Sequence, residues 1–130
     1  MGQGTTRSLV LDAGALIAIE RANRAVLALV AVAAESGADV VIPAGVIGQV
    51  WRSGARQARV ARVIGAAETI VEPLDLEVAR AAGELCGTSR TNDVIDASVA
   101  IAGRRIGATV VTSDPDDLRH LDPALDLYVV

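Results

Sequence analysis

The sequence predicts an α/β domain in which a mostly parallel sheet lies between two layers of helices. Short apolar runs rich in valine, isoleucine and leucine alternate along the chain with longer segments of helix-forming residues. Runs that are apolar at nearly every position are typical of strands buried on both faces, as in parallel sheets. We therefore predict a three-layer α/β/α sandwich with four or five strands, formed by residues 1–130 as a single domain.

Five short apolar runs are predicted as the strands. The first ends at Asp12, and prolines end the second and third at Pro43 and Pro73, because proline has no N–H to continue a ladder. The runs cover residues 8–11, 40–42, 69–72, 108–112 and 127–130.

The segments between these runs are predicted as helices. The first covers residues 15–36 with a break near Asn23, and Gly37 is expected to end it. Gly87 and Gly107 are expected to end two later helices, because glycine readily adopts the left-handed conformation found there. The remaining helices are predicted over residues 44–52, 55–67, 75–86, 92–106 and 114–121.

The composition excludes several classes of protein. Hydrophobic residues make up 52% of the chain and charged residues 22%, which excludes a disordered chain. No run approaches the roughly 18 apolar residues of a membrane span, and the N-terminal apolar run is too short for a signal peptide. Cys86 is the single cysteine, so neither an internal disulfide nor a structural zinc site is expected. These features favour a cytoplasmic protein.

The charged residues exclude further classes of function. A net charge of −4 does not suggest a protein that coats nucleic acid without specificity. All twelve basic residues are arginines, which excludes Schiff-base chemistry and lysine-dependent phosphate loops. Receiver domains and haloacid-dehalogenase-type phosphatases also need a lysine, and the latter need an aspartate where this chain has Gly14.

Aspartates gather where the predicted sheet would bind a ligand. Asp12 follows the first strand, Asp114 follows the fourth, and Asp93 and Asp96 lie in the first turn of one helix. Ligands of parallel α/β sheets bind beyond the carboxyl ends of the strands. Clustered carboxylates repel each other unless a cation neutralises them, and Mg²⁺ or Mn²⁺ suits an all-oxygen site. The pattern predicts metal-dependent hydrolysis of a phosphodiester.

Each of these aspartates also has an ordinary structural interpretation. Asp12 could cap the helix that follows it, and Asp114 precedes Pro115 as a helix N-cap commonly does. Asp93 and Asp96 would be favoured by the dipole at the start of a helix. The joint pattern, rather than any single residue, favours the functional interpretation.

Four segments resemble, in order, the successive motifs of the PIN domain family, and most closely those of VapC-type toxins. They read LVLDAGALIAIE, VIPAGVIGQVWR, DVIDASVAIA and VVTSDPDDL, and together they span most of the chain. The resemblance implies a Mg²⁺- or Mn²⁺-dependent endoribonuclease that acts on RNA. It also implies a homodimer inhibited by a small antitoxin protein. By charge complementarity, the antitoxin could insert an arginine into the acidic pocket.

The resemblance assigns roles by position. Asp12, Asp96 and Asp114 match the metal-binding acids of the family, and Asp93 and Asp117 are candidate accessory ligands. Two further residues are expected near the site. Ser113, beside Asp114, could touch a phosphate or orient a ligand, and Glu20 could approach the same edge of the sheet.

Gln49 departs from the family pattern, which has a glutamate in the helix after the second strand. The glutamine amide still offers an oxygen ligand, but it carries no charge and cannot act as a general base. We expect weaker metal binding, with Asp93 or Glu20 as sources of the missing charge. The alternative is a weak or inactive PIN-like module that binds RNA or protein.

Arginines recur at helical spacing after the second predicted strand, at Arg52, Arg56, Arg59 and Arg62. They could contact RNA phosphates or an acidic antitoxin segment, or form a solvated helix face. The neighbouring Trp51 is expected to pack in the core or at a dimer interface.

Overall fold

The computed structural model describes residues 7–130 and confirms the predicted α/β sandwich. Five strands pair in parallel in the order β3-β2-β1-β4-β5. They are β1 (Leu9–Leu11), β2 (Val40–Pro43), β3 (Thr69–Glu72), β4 (Thr109–Thr112) and β5 (Asp126–Val129).

Helices cover both faces of the sheet. They are α1 (Ala13–Glu20), α2 (Arg24–Glu35), α3 (Ala44–Val50), α4 (Ala58–Ile64), α5 (Leu76–Ser89), α6 (Val94–Ile106) and α7 (Pro115–Leu121). Helices α1, α2 and α4 form one layer, while α5 and α7 pack on α6 in the other. Helix α3 contacts both α1 and α6. None of the helices in the described part of the chain is long and apolar enough to cross a membrane.

The order of the strands reverses at β1. From β1 the chain proceeds to β2 and β3 on one side, and later returns to place β4 and β5 on the other. The carboxyl ends of β1 and β4 are therefore neighbours, with Leu11 opposite Val111. Such a reversal opens a crevice between the connections that follow the two strands, where ligands of open α/β sheets bind.

The interior strands form the core, whereas the edge strands are half open. All residues of β1 and β2 are buried. On β3, by contrast, Ile70 is 49% and Val71 40% exposed. Val129 of β5, the other edge strand, is 52% exposed. The prediction of strands buried on both faces is therefore wrong for β3 and β5, because an edge strand has a neighbouring strand on one side only and the helices leave it partly uncovered.

Several helix boundaries differ from the prediction. The break at Asn23 is confirmed, since its side chain accepts a hydrogen bond from the Val26 amide at 3.1 Å as the N-cap of α2. Gly37 and Gly107 adopt positive φ after their helices, as predicted. Gly87 does not end α5, which continues to Ser89, because glycine inside an exposed helix costs only about 1 kcal/mol.

The predicted helix over residues 55–67 is also shorter, since α4 begins at Ala58. Residues 51–57 instead form a turn that a buried glutamine, Gln57, ties to α1.

Gly14 fixes the approach of α1 to the loop after β4. A methyl group at Gly14 would overlap the Ser113 hydroxyl and would lie 2.6 Å from Ser113 Cβ and 2.9 Å from its backbone nitrogen. Backbone atoms cannot move aside as a flexible side chain can. The absence of a side chain at Gly14 therefore lets the loops after β1 and β4 pack together.

We expect Gly14→Ala to destabilise the fold by about 1–3 kcal/mol, the usual cost of overpacking. Gly83→Ala is the matched control, because Gly83 lies within α5 with no atom within 4 Å of an added methyl group. The control should be neutral or stabilising. Urea unfolding measures both, and equal stabilities of the two variants would contradict the close approach at Gly14.

Candidate functional site

Five aspartates lie within electrostatic reach of one another at the carboxyl edge of β1 and β4. The charge of Asp114 acts on Asp12, and the charges of Asp93, Asp117 and Asp12 act on Asp96. Four elements supply them: the end of β1, the start of α6, and the loop and first turn after β4. The structure thus brings together the aspartates that the sequence singled out.

Asp12 is the buried member of the group. It is 6% exposed and caps α1 by accepting a hydrogen bond from the Ala15 amide at 3.0 Å. Burial, followed by the charge of Asp114, raises the pKa of Asp12 against the hydrogen bonds from Thr112 and Ala15. The capping interpretation of Asp12 is therefore correct, and the same carboxyl group also belongs to the acidic cluster.

Asp96 combines partial burial with repulsion from its acidic neighbours. Its burial and the charges of Asp93 and Asp117 raise the pKa of Asp96 to about 7. Asp93 is the N-cap of α6 and accepts a hydrogen bond from the Asp96 amide at 2.9 Å. This bond fixes the start of α6 and keeps the two carboxyl groups close together.

Asp114 precedes α7 but does not use its side chain to cap that helix. Its backbone amide instead donates to the Thr112 hydroxyl at 2.8 Å. The structure therefore does not support the N-cap interpretation for the carboxyl group, which is exposed and available for another role. Asp117, in the first turn of α7, is likewise exposed.

The donor chemistry of this edge fits a hard divalent cation. All five side chains offer carboxylate oxygens, the preferred ligands of Mg²⁺ and Mn²⁺, and the raised pKa of Asp96 reflects its burial and the negative charge of its neighbours. Within residues 7–130, no three Asp, Glu, His or Cys side chains already surround one point closely enough to hold an ion. The exposed carboxyl groups of Asp114 and Asp117 are free to change rotamer.

Gln49 lies one helical turn beyond the contact between α3 and α6. Four residues before it, Gly45 packs directly against the Ile95 side chain, next to Asp96. Residues four apart share a helix face, so Gln49 is on the side of α3 that approaches α6. Its side chain is exposed, which is compatible with a position at the rim of the acidic cluster.

Glu20 and Ser113 have different surroundings. Glu20 ends α1, about 12 Å along the helix axis from Asp12, and accepts a hydrogen bond from Gln57 at 2.6 Å. The expectation that Glu20 approaches the Asp12 edge does not match this placement. Ser113 is exposed between Gly14 and Asp114, beside the acidic cluster.

Two residues that shape the surroundings of α1, one near each end, have no strong signal in the sequence. Gly14 matters only because the Ser113 loop lies against it, and Gln57 matters because it holds Glu20. Both roles depend on contacts between segments that are distant in the chain, which no local pattern reveals.

We expect Asp96→Asn to stabilise the metal-free protein at pH 8. Since the folded-state pKa of about 7 exceeds the usual value near 4, ionisation of Asp96 lowers stability as the pH rises between these values. An asparagine cannot ionise, so the gain should be about 1–2 kcal/mol after allowance for solvent screening.

The gain should vanish near pH 4, where the carboxyl group is protonated in the folded wild-type protein. Asp116→Asn is the control, because Asp116 is exposed and paired only with Arg119, at 4.0 Å. Urea unfolding in EDTA at both pH values measures the difference. A gain that is the same at pH 4 and pH 8 would exclude charge repulsion as its cause.

Comparison with solved structures shows the same fold in three bacterial proteins. VapBC2 from Rickettsia felis, bound to a DNA fragment from its promoter, matches with a TM-score of 0.68 and 14% identity, over 95% of this chain and 98% of that one. FitAcB from Neisseria gonorrhoeae matches with a TM-score of 0.61 and 15% identity, over 92% and 96% of the two chains.

The third is VapC20 of Mycobacterium tuberculosis, a toxin that cleaves the sarcin–ricin loop. Its TM-score is 0.58 at 18% identity, over 78% of this chain and 86% of that one. At these identities the likeness establishes the fold. No curated protein sequence matches the chain significantly.

The sequence itself matches the PIN domain family model over residues 9–122, a range that contains all five clustered aspartates. This match covers nearly the whole folded chain, from β1 to the residue that follows α7. The chain therefore belongs to the PIN domain family.

Proposed function

We propose that this protein is a metal-dependent endoribonuclease of the VapC type, the toxin of a toxin–antitoxin pair. The observation that carries the proposal is the cluster of five aspartates at the point where the strand order reverses, with the pKa of Asp96 raised to about 7. Such a cluster destabilises the fold unless a cation occupies it. Membership of the PIN domain family and the fold shared with VapC20 support the same function.

Asp12, Asp96 and Asp114 are the proposed ligands of Mg²⁺ or Mn²⁺, with Asp93 and Asp117 as accessory groups. A cation bound there would supply a Lewis acid and a water of lowered pKa for attack on an RNA phosphodiester. Thr112 and the Ala15 amide orient the Asp12 carboxylate. Asp93 holds the first turn of α6, which sets the position of Asp96.

The alternative function is a PIN-like RNA- or protein-binding module whose site is weakened by Gln49. The exposed glutamine on the α6 side of α3 favours this alternative, since it contributes no charge. Against this alternative, the five aspartates lie together although residue 49 is a glutamine. A nuclease that tolerates this glutamine is the simpler account.

We also propose an antitoxin protein as partner, a homodimeric assembly and a cytoplasmic location. The neighbours VapBC2 and FitAcB are complexes, which supports a partner protein for this chain. The uncompensated carboxylates would attract a basic side chain of that partner, such as an arginine. The buried free thiol of Cys86 suits a reducing compartment.

The wild-type protein is expected to cut cellular RNA in Mn²⁺ or Mg²⁺ and to be silent in EDTA. Asp12→Asn should lower the cleavage rate by about a hundredfold or more. Even residues that only hydrogen-bond to metal ligands cost about 10–100-fold in metal affinity or activity when they are substituted. Asparagine still caps a helix, so the fold is kept.

Asp39→Asn is the matched control, since Asp39 lies at the amino end of β2, away from the acidic edge. Gel electrophoresis of the RNA measures the cleavage rate of the wild-type protein and of both variants. Equal cleavage by wild type and Asp12→Asn would refute the proposed site.

Gln49→Glu should strengthen Mn²⁺ binding by about tenfold, since one added charge near the ion contributes on the order of 1 kcal/mol. Calorimetric titration with Mn²⁺ measures the affinity, and the cleavage assay measures the activity. An active wild type means that glutamine is tolerated. A silent wild type beside an active Gln49→Glu would favour the binding module.

A further inference from the structure

Four arginines line one continuous cleft beside the C-terminal end of α1. The cleft combines two adjoining cavities of about 560 and 270 Å³, and both are also lined by Glu20, Arg56 and Gln57. We call it the arginine cleft, after Arg52, Arg56, Arg59 and Arg62. Arg59 and Arg62 lie on α4, whereas Arg52 and Arg56 belong to the turn before it. The predicted helical geometry is therefore confirmed only for Arg59 and Arg62.

The arginine cleft carries positive charge in a protein whose net charge is −4. Within residues 7–130, its four guanidinium groups form no ion pair. Glu20 is the acid in the cleft, and its carboxylate accepts a hydrogen bond from Gln57. The ion pairs of the described chain belong to Arg7, Arg104, Arg105 and Arg119.

Gln57 builds the floor of the cleft. It is 6% exposed, and its amide oxygen accepts hydrogen bonds from the backbone amides of Arg52 and Ser53, at 2.8 and 3.0 Å. Its amide nitrogen donates to Glu20 and, at 3.0 Å, to the Val50 carbonyl. Four bonds from one buried side chain hold the turn against α1, so the arginines project from a fixed backbone.

We propose that the arginine cleft binds backbone phosphates of the RNA strand and leads that strand toward the acidic edge. The proposal rests on the proposed ribonuclease function. Helix α1 links the two regions, since Asp12 caps its first turn and Glu20 ends it about 12 Å away. Guanidinium groups bind phosphate through paired N–H donors, and they supply the attraction that the acidic edge lacks.

The lining of the cleft favours RNA over a protein partner. Only Val50 and Ala58 among the lining residues are apolar, so the cleft offers little of the apolar area found in the buried core of protein interfaces. Trp51 is 37% exposed at this turn and lies against Gly54, so it is not a core residue. Trp51 precedes Arg52 in the same turn, and an exposed indole there suits single-stranded nucleic acid, whose bases stack on aromatic rings.

The test is the binding of a fluorescently labelled single-stranded RNA to the full-length protein in EDTA, measured by anisotropy across a salt series. Arg56→Gln/Arg59→Gln should bind at least about tenfold more weakly, and the salt slope should fall by about 0.7 for each phosphate that the variant no longer neutralises. Arg80→Gln/Arg105→Gln, on α5 and α6 across the sheet, makes the same change of charge and should bind like wild type.

Arg56→Lys/Arg59→Lys keeps the charge, so it should retain most of the salt dependence. All the substituted side chains are exposed, and circular dichroism with urea unfolding checks that each variant folds. Equal affinity of the two glutamine variants for RNA overturns the proposal. The proposal also fails if Arg56→Gln/Arg59→Gln keeps its RNA affinity but no longer binds a glutamate-rich peptide, which would assign the cleft to an acidic protein.

The binding measurement is independent of catalysis, because no divalent cation is present. Arginine-dependent RNA binding by a protein that fails to cut RNA in Mn²⁺ would support the arginine cleft and refute the nuclease. Cleavage in Mn²⁺ by a protein whose RNA affinity does not change on substitution of Arg56 and Arg59 would support the nuclease and refute the arginine cleft.

Discussion

The parallel pairing of β1 with β4 determines the position of almost every chemically interesting group in this protein. It places Leu11 opposite Val111, so the two connections that follow leave the sheet side by side. Asp12 and Asp114 are then neighbours by construction, and α6 brings Asp93 and Asp96 to the same edge. The core maintains this arrangement against electrostatic repulsion, since each fully buried aliphatic side chain, such as Leu11, contributes about 1.5–3 kcal/mol.

The fold and the acidic residues could be predicted because both have local signals. β-Branched runs, a capping asparagine and terminal glycines specify strands and helix ends within a few residues of sequence. The hydrogen-bond partner of Glu20 could not be predicted in this way, since Gln57 is 37 residues away. The end of α5 also differs from its prediction, because a glycine inside a helix costs only about 1 kcal/mol and the helix continues past Gly87 to Ser89.

Charge is segregated on the two ends of α1, although the chain as a whole is mildly acidic. Negative groups surround the N-terminal end, and guanidinium groups surround the C-terminal end. Net charge averages over these regions, so it excludes only non-specific coating of nucleic acid. The two ends of α1 lie about 12 Å apart and carry opposite charges. A polyanion would therefore be attracted to one end of the helix and repelled from the other, which fixes its orientation as well as its affinity.

The double role of Asp12 has an evolutionary consequence. One carboxyl group both caps α1 and belongs to the acidic cluster. Aspartate and asparagine cap helices about equally well, and they are related by a single nucleotide change. Under the proposed nuclease function, a single substitution could therefore remove the charge of Asp12 and leave the capped helix and the sheet in place. A folded but inactive form of such a nuclease would then be one nucleotide change away from the active one.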